Sequence, residues 1–257
     1  MNGFLARACA VAAAGVALST GVVTAASASG GGIPMHPGGF GPAGSAAGGE
    51  GTLRPVSNRD FAGYQAAVTT GSATVSAASF TVPKLSCTTK NRAIAPSTAI
   101  WVNNYKSVSA AFVFTGCVSG AAVYYPGVVV NGTETDYTTS PVAAGDVIDL
   151  TTKVSTNRTR VQVTDVTTGV TQKIIGAGAS AGAAYIGDDG WGNSSGQLEH
   201  VPAFGKLTFK NCVLDAKSLA SWRPQAYQRV NSIGTLQIST GNFWPGGTAF
   251  TTHFVHS

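Results

Sequence analysis

One run of residues, Gly145-Asp146-Val147-Ile148-Asp149-Leu150-Thr151-Thr152-Lys153-Val154, constrains the fold more than any other part of the chain. In an extended backbone Ile148, Leu150, Thr152 and Val154 share one face while Asp149, Thr151 and Lys153 share the other. This two-residue period belongs to a strand with one packed side and one wet side. Asn157-Arg158 then turns the chain into residues 159–166, and Thr168-Gly169 turns it again into 170–175, which makes a three-strand meander. The same texture of short β-branched and aromatic segments between Gly, Pro, Asn and Asp recurs elsewhere, and no apolar stripe of helical period interrupts it. Further strands are expected over residues 61–68, 73–82, 98–103, 108–115, 121–130, 182–187, 205–214, 225–230 and 247–255. That many short strands bury their apolar faces only against one another, in two packed antiparallel sheets or a barrel. The expected class is therefore all-β.

Charge narrows the function. Lys and Arg number 16 against 11 Asp and Glu, but the basic residues are scattered singly along the sequence and form no run that tracks a phosphate backbone. No nucleic-acid partner is expected. At the start of the chain Arg7 precedes an apolar stretch over residues 8–23, which ends in Ala26-Ser27-Ala28. These are the n-region, h-region and small-residue cleavage site of a signal peptide, so residues 1–28 are assigned to it and the mature chain to the extracellular space. The apolar stretch is too short for a stable membrane span. Residues 29–55 follow as a Gly-rich tether, in which nothing is apolar enough to bury a core, and 56–257 form the folded domain. A monomer is expected.

With Cys9 in the signal peptide, the mature chain keeps Cys87, Cys117 and Cys212, an odd number that suggests one disulfide and one buried thiol. No Cys or His spacing suits a metal, and no cofactor is expected. Asp188-Asp189-Gly190-Trp191-Gly192-Asn193 is the densest polar cluster and reads as a Gly-rich turn rather than a calcium or acid–base site. His200, His253 and His256 lack any accompanying nucleophile motif.

Several pieces, read in order, resemble the glutamic peptidases (peptidase family G1, the eqolisins) of the secreted bacterial type. Phe61-Ala62-Gly63-Tyr64 resembles N-W-A-G-Y, Phe80-Thr81-Val82-Pro83 the strand end F-T-V-P, and Trp101-Val102 the start of W-V-G-x-D-G. Gly145-Asp146-Val147-Ile148 matches G-D-x-I, residues 204–211 resemble F-G-x-V-x-F-T-N, and Gly247-Thr248-Ala249-Phe250 the last strand. The resemblance spans residues 57–257. It implies a two-sheet antiparallel β-sandwich of concanavalin-like, jelly-roll type, with a concave sheet that binds peptide, and a disulfide between Cys87 and Cys117.

The family's chemistry uses a Glu as general base on water and a Gln amide that stabilises the oxyanion. Alignment of the motifs puts the Gln at Ala110 or Phe114 and the Glu at Val129 or Val123, so neither side chain is present, and no Gln occurs between Gln65 and Gln162. The nearest carboxylate, Glu134, lies five residues past Val129 and is expected in a surface turn, pointing to the opposite face. The resemblance therefore implies a secreted, non-catalytic homologue whose concave sheet binds a peptide or glycan through Trp101, Tyr105, Phe112 and Tyr124, or is merely filled. An active acid endopeptidase with a rearranged site is the alternative.

Overall fold

The computed structural model describes residues 55–90, 92–191, 198 and 200–256. The signal peptide and, apart from Pro55, the tether lie outside the described residues. The strands are β1 (Val56–Asn58), β2 (Phe61–Ala67), β3 (Thr74–Thr81), β4 (Arg92–Val102), β5 (Ser107–Val118), β6 (Ala121–Val130), β7 (Thr133–Asp136) and β8 (Val147–Val154). They continue as β9 (Arg158–Asp165), β10 (Val170–Ala177), β11 (Ala181–Gly190), β12 (Lys206–Leu214), β13 (Lys217–Ser218), β14 (Gln225–Val230), β15 (Leu236–Thr240) and β16 (Phe250–Phe254). Among the described residues the helical content is a single 3-10 turn at Leu219–Trp222.

The expected meander is present. β8, β9 and β10 pair antiparallel, with Leu150 opposite Val163 and Ile174 opposite Val161. Asp165 holds the turn after β9 by accepting from the Thr167 and Thr168 amides and the Thr168 hydroxyl, the local bonding that makes Asp a turn residue.

Hydrogen bonding runs in the order β10-β9-β8-β3-β12-β16-β15-β14-β2-β11-β4-β5-β6-β7, antiparallel throughout, while β1 joins β14 in parallel. The two layers of the sandwich are thus one curled sheet. β15 makes them continuous, because it bonds to β14 on one side and β16 on the other. Phe80, Ile148, Leu150, Val154, Val161 and Phe209 from one layer pack against Ile94, Ile100, Ala111, Val113, Val128 and Ile186 from the other. Ile148, Leu150 and Val154 point between the layers, as their alternation requires.

Buried threonine hydroxyls join the layers inside this core, Thr98 Oγ1 on β4 donating to Ser76 O on β3 at 3.1 Å. The Thr152 hydroxyl on β8 donates to Thr98 O on β4 at 2.9 Å and accepts from Ala111 N on β5 at 3.1 Å. A buried hydroxyl stays in an apolar core only when satisfied in this way. Cys87 and Cys117 form the disulfide, with Cα atoms 5.5 Å apart, and Cys212 is a buried free thiol. Burial pushes that thiol well above its ordinary range.

Candidate functional site

Strands β2, β4, β5, β6 and β11 send alternate side chains into the core, and the intervening ones gather on their other face. There Phe61, Trp101, Phe112, Phe114 and Tyr185 form a second apolar cluster together with Ala110 and Val129. The register of β5 on β6 places Ala110 opposite Val129, Phe112 opposite Gly127, Phe114 opposite Tyr125 and Val123 opposite Gly116. All four positions singled out for the family's Gln and Glu therefore lie on this face, and Ala110 and Val129 are direct cross-strand neighbours. Ala110 is 0% exposed, Val129 2% and Phe114 6%.

Rings cover these positions. Phe114 stacks on Tyr125 at 4.6 Å between centroids, and Trp191 meets Phe114 at 5.0 Å and Phe112 at 5.4 Å. A Cβ on Gly127 would overlap the Phe112 ring, and one on Gly116 would overlap Phe114, so each ring occupies space that its neighbouring glycine leaves open.

Of the four aromatics expected to bind a ligand, three come together. Trp101 and Phe112 are buried in the cluster, and Tyr105 sits partly buried against it with its hydroxyl donating to Gly182 O at 3.2 Å. Tyr124 lies on the opposite face, packed against the interlayer core, and its hydroxyl accepts from Leu85 N at 3.2 Å. It is the sequence neighbour of Tyr125, and a strand sends consecutive side chains to opposite sides.

Asp188 and Asp189 are not in a turn; they lie within β11 and diverge to its two faces. Ala181-Gly182-Ala183-Ala184-Tyr185-Ile186 pairs with β2 and β4, and the pairing continues through both carboxylates to Gly190. Asp189 faces the aromatic cluster, where Ser97 Oγ donates to Oδ2 at 2.5 Å and the Tyr185 hydroxyl also donates. Burial pushes its carboxyl up to about 7 against these bonds. Asp188 faces the core, accepts from Thr252 Oγ1 at 2.6 Å and is likewise pushed by burial to about 7. Between them and Asp60 sits Arg229, whose guanidinium burial lowers to about 10 while the three carboxylates hold it charged. A composition rich in Asp and Gly signalled a loop, whereas the small-residue alternation leading into it was the signal for a strand.

Glu134 also departs from expectation. Asn131 and Gly132, with φ of 51° and 87°, form the two-residue turn between β6 and β7, the conformation that a tight hairpin requires. The chain reverses there, which brings Glu134 back opposite Val129 and Asp136 opposite Gly127. Both carboxyls therefore lie on the aromatic face, Glu134 in the cross-strand row of Ala110 and Val129 and Asp136 in that of Phe112 and Gly127. Counting alternation through a turn had sent Glu134 to the wrong side. The two share a hydrogen bond, and burial, reinforced by Asp136, pushes Glu134 up to about 8, while burial also raises Asp136. Tyr125 stands beside them, its hydroxyl raised by burial and by both carboxyls.

Among the described residues no group of three or more His, Cys, Asp or Glu is placed to hold a metal ion. No helix among them is long and apolar enough to cross a membrane. A cavity of about 290 Å³ lies away from the aromatic face, lined in part by Pro126, Pro141, Val142, Val163, Val170 and Gln172.

The family model described as "Peptidase A4 family" matches residues 59–242, more than half of the chain. The chain belongs to that family, the glutamic peptidases. Scytalido-glutamic peptidase, solved with a transition-state analog inhibitor, shares 15% identity at a TM-score of 0.59, covering 76% of this chain and 100% of its own. SCP-B, an eqolisin solved with the tripeptide Ala-Ile-His, matches at 15% identity and TM-score 0.58 over the same shares of both chains. Aspergilloglutamic peptidase from Aspergillus niger matches at 16% identity and TM-score 0.50, covering 64% of this chain and 99% of its own. At these identities the likeness is one of fold. No curated protein matches significantly.

Proposed function

We propose that the chain is a secreted, non-catalytic member of the glutamic peptidase family, whose aromatic face is a packed cluster with access to peptide or glycan only at its rim. One observation carries the reading: Ala110 and Val129 sit directly opposite each other on the face where the Gln and Glu are expected, and both are buried. With Val at position 129 no base at that position takes the proton from water, a loss of about 10² to 10⁴ in rate. Without the amide the oxyanion loses a donor worth about 10² to 10³. The half-buried rim residues Tyr105, Tyr125 and Trp191 keep exposed edges on which a chain segment or sugar ring can stack. Secretion rests on the signal-peptide pattern of residues 1–28 and on the disulfide, a bond of oxidising compartments.

One observation favours the alternative, an acid endopeptidase with a rearranged site. Glu134, opposite Val129, shares a hydrogen bond with Asp136, opposite Gly127, and two carboxyls so paired can divide the roles of acid and base. The test is incubation of the purified protein with a denatured protein substrate from about pH 2 to 8, a span covering carboxylate titration, with new termini read by mass spectrometry. No cleavage above a blank is expected. Cleavage that disappears in Glu134→Gln would transfer the assignment to the second reading, and cleavage that survives in that variant would overturn both.

A further inference from the structure

Burial divides the charges unequally. Asp60, Asp188 and Asp189 surround buried Arg229, Glu134 and Asp136 share a proton, and Asp165 closes a turn. The exposed surface is left more basic than the sequence, and part of that excess lies on one sheet face. The outer side of β8, β9 and β10 carries Lys153, Arg158, Arg160 and Lys173, and the same side of β12, across β3 from β8, carries Lys206 and Lys210; all six are exposed, against a single exposed carboxylate, Asp149. Residues scattered singly in sequence are thus assembled by the antiparallel register. Among the described residues none of the six cations is in an ion pair.

The register also opposes like charges, since Lys153 lies directly across from Arg160. Such a pairing is destabilising in a sheet, and an anion laid across both strands relieves it. Beside these cations runs a chain of hydrogen bonds. Arg160 Nη2 donates to Gln162 Oε1 at 2.6 Å, Gln162 Nε2 donates to Thr164 Oγ1 at 3.0 Å, and Thr164 meets the Thr171 hydroxyl at 3.1 Å. These side chains are held in place before any ligand arrives.

We propose that this face docks an acidic polysaccharide. Lys153 and Arg160 lie roughly 5 Å apart across adjacent strands, Arg158 and Arg160 roughly 7 Å apart along β9, and Lys173 sits on β10 opposite Gln162, diagonal to Arg160. That grid suits a polymer with one carboxylate on each sugar ring, whereas a nucleic-acid duplex presents a charge about every 1.7 Å. The face has no Phe, Tyr or Trp, so it lacks both the stacking platform of single-strand nucleic-acid binders and the aromatic anchor of a membrane surface. Its Thr and Gln side chains offer hydrogen bonds to sugar hydroxyls.

The experiment uses the purified full chain and immobilised polygalacturonate at about 0.15 M salt, where exposed charges more than about 8 Å apart are screened. The triple variant Lys153→Gln/Arg160→Gln/Lys173→Gln is compared with Lys84→Gln/Lys90→Gln/Lys106→Gln, which removes the same charge elsewhere. The face triple should lose at least about tenfold in affinity and the control less than about twofold. Added polygalacturonate should raise the melting temperature of the wild type and the control but not of the face triple, which separates lost binding from lost folding. Equal losses in both triples would reduce the effect to net charge and overturn the proposal. So would absence of wild-type binding at this salt, or tighter binding to duplex DNA or to vesicles containing phosphatidylglycerol.

Discussion

The Thr152 hydroxyl reaches both partners in the facing layer from a fully buried position. Thr152→Val keeps the shape but leaves Thr98 O and Ala111 N without their partner, and an unsatisfied buried group costs about 1 to 3 kcal/mol. Chemical denaturation should show a lower midpoint of that order with an unchanged slope. At this scale the sequence was legible only where alternation was unbroken. It placed Ile148, Leu150 and Thr152 on the packed side, but a turn inverted Glu134, and consecutive Tyr124 and Tyr125 could not be told apart without the register. The bonds from Ser97 and Thr252 to Asp189 and Asp188 join residues 92 and 64 positions apart. No local pattern encodes them.

Among the elements, β7 is the most conditional, a four-residue edge strand bonded only to β6 and carrying two carboxyls on one face. Glu134 is raised to about 8, so the proton it holds with Asp136 is present below that pH and lost as pH rises through it. Two adjacent carboxylates beside the Tyr125 hydroxyl then repel. Hydrogen exchange at residues 133–136 should accelerate above pH 8 by more than the intrinsic rate, and Glu134→Gln should abolish the excess. The elements legible in sequence were the longer strands together with β14 and β16, of six and five residues. β1, β7 and β13 were missed because two to four residues give too short a period to count, and β15 because its five residues alternate weakly between their pairings to β14 and β16. β11 was expected to stop at residue 187, since Asp and Gly favour turns in isolation. Its central place between β2 and β4 carries it to Gly190.

Over the whole molecule the shifted carboxyls give the pH dependence one sign between about pH 4 and 8. Asp60, Glu134, Asp136, Asp188 and Asp189 are all raised by burial, and no carboxyl is lowered among those with a shift. The folded chain therefore binds more protons than the unfolded one, from the ordinary carboxylate range near 4 up to about 7 and, for Glu134, about 8. Stability is fully present below that window and declines across it. The melting temperature should be higher near pH 4 than near pH 8, and a rise over that interval would contradict this burial pattern. The continuous ladder through β15 has a mechanical consequence as well. The two layers resemble pages bound along one spine, β14-β15-β16, with a free fore-edge where β10 and the β6–β7 hairpin approach. Asn131 Nδ2 donating to Ala177 O and Gln172 Nε2 donating to Ser140 Oγ are the clasps on that edge. Parting the layers at the fore-edge breaks side-chain bonds such as these, whereas parting them at the spine breaks the backbone ladder on both sides of β15.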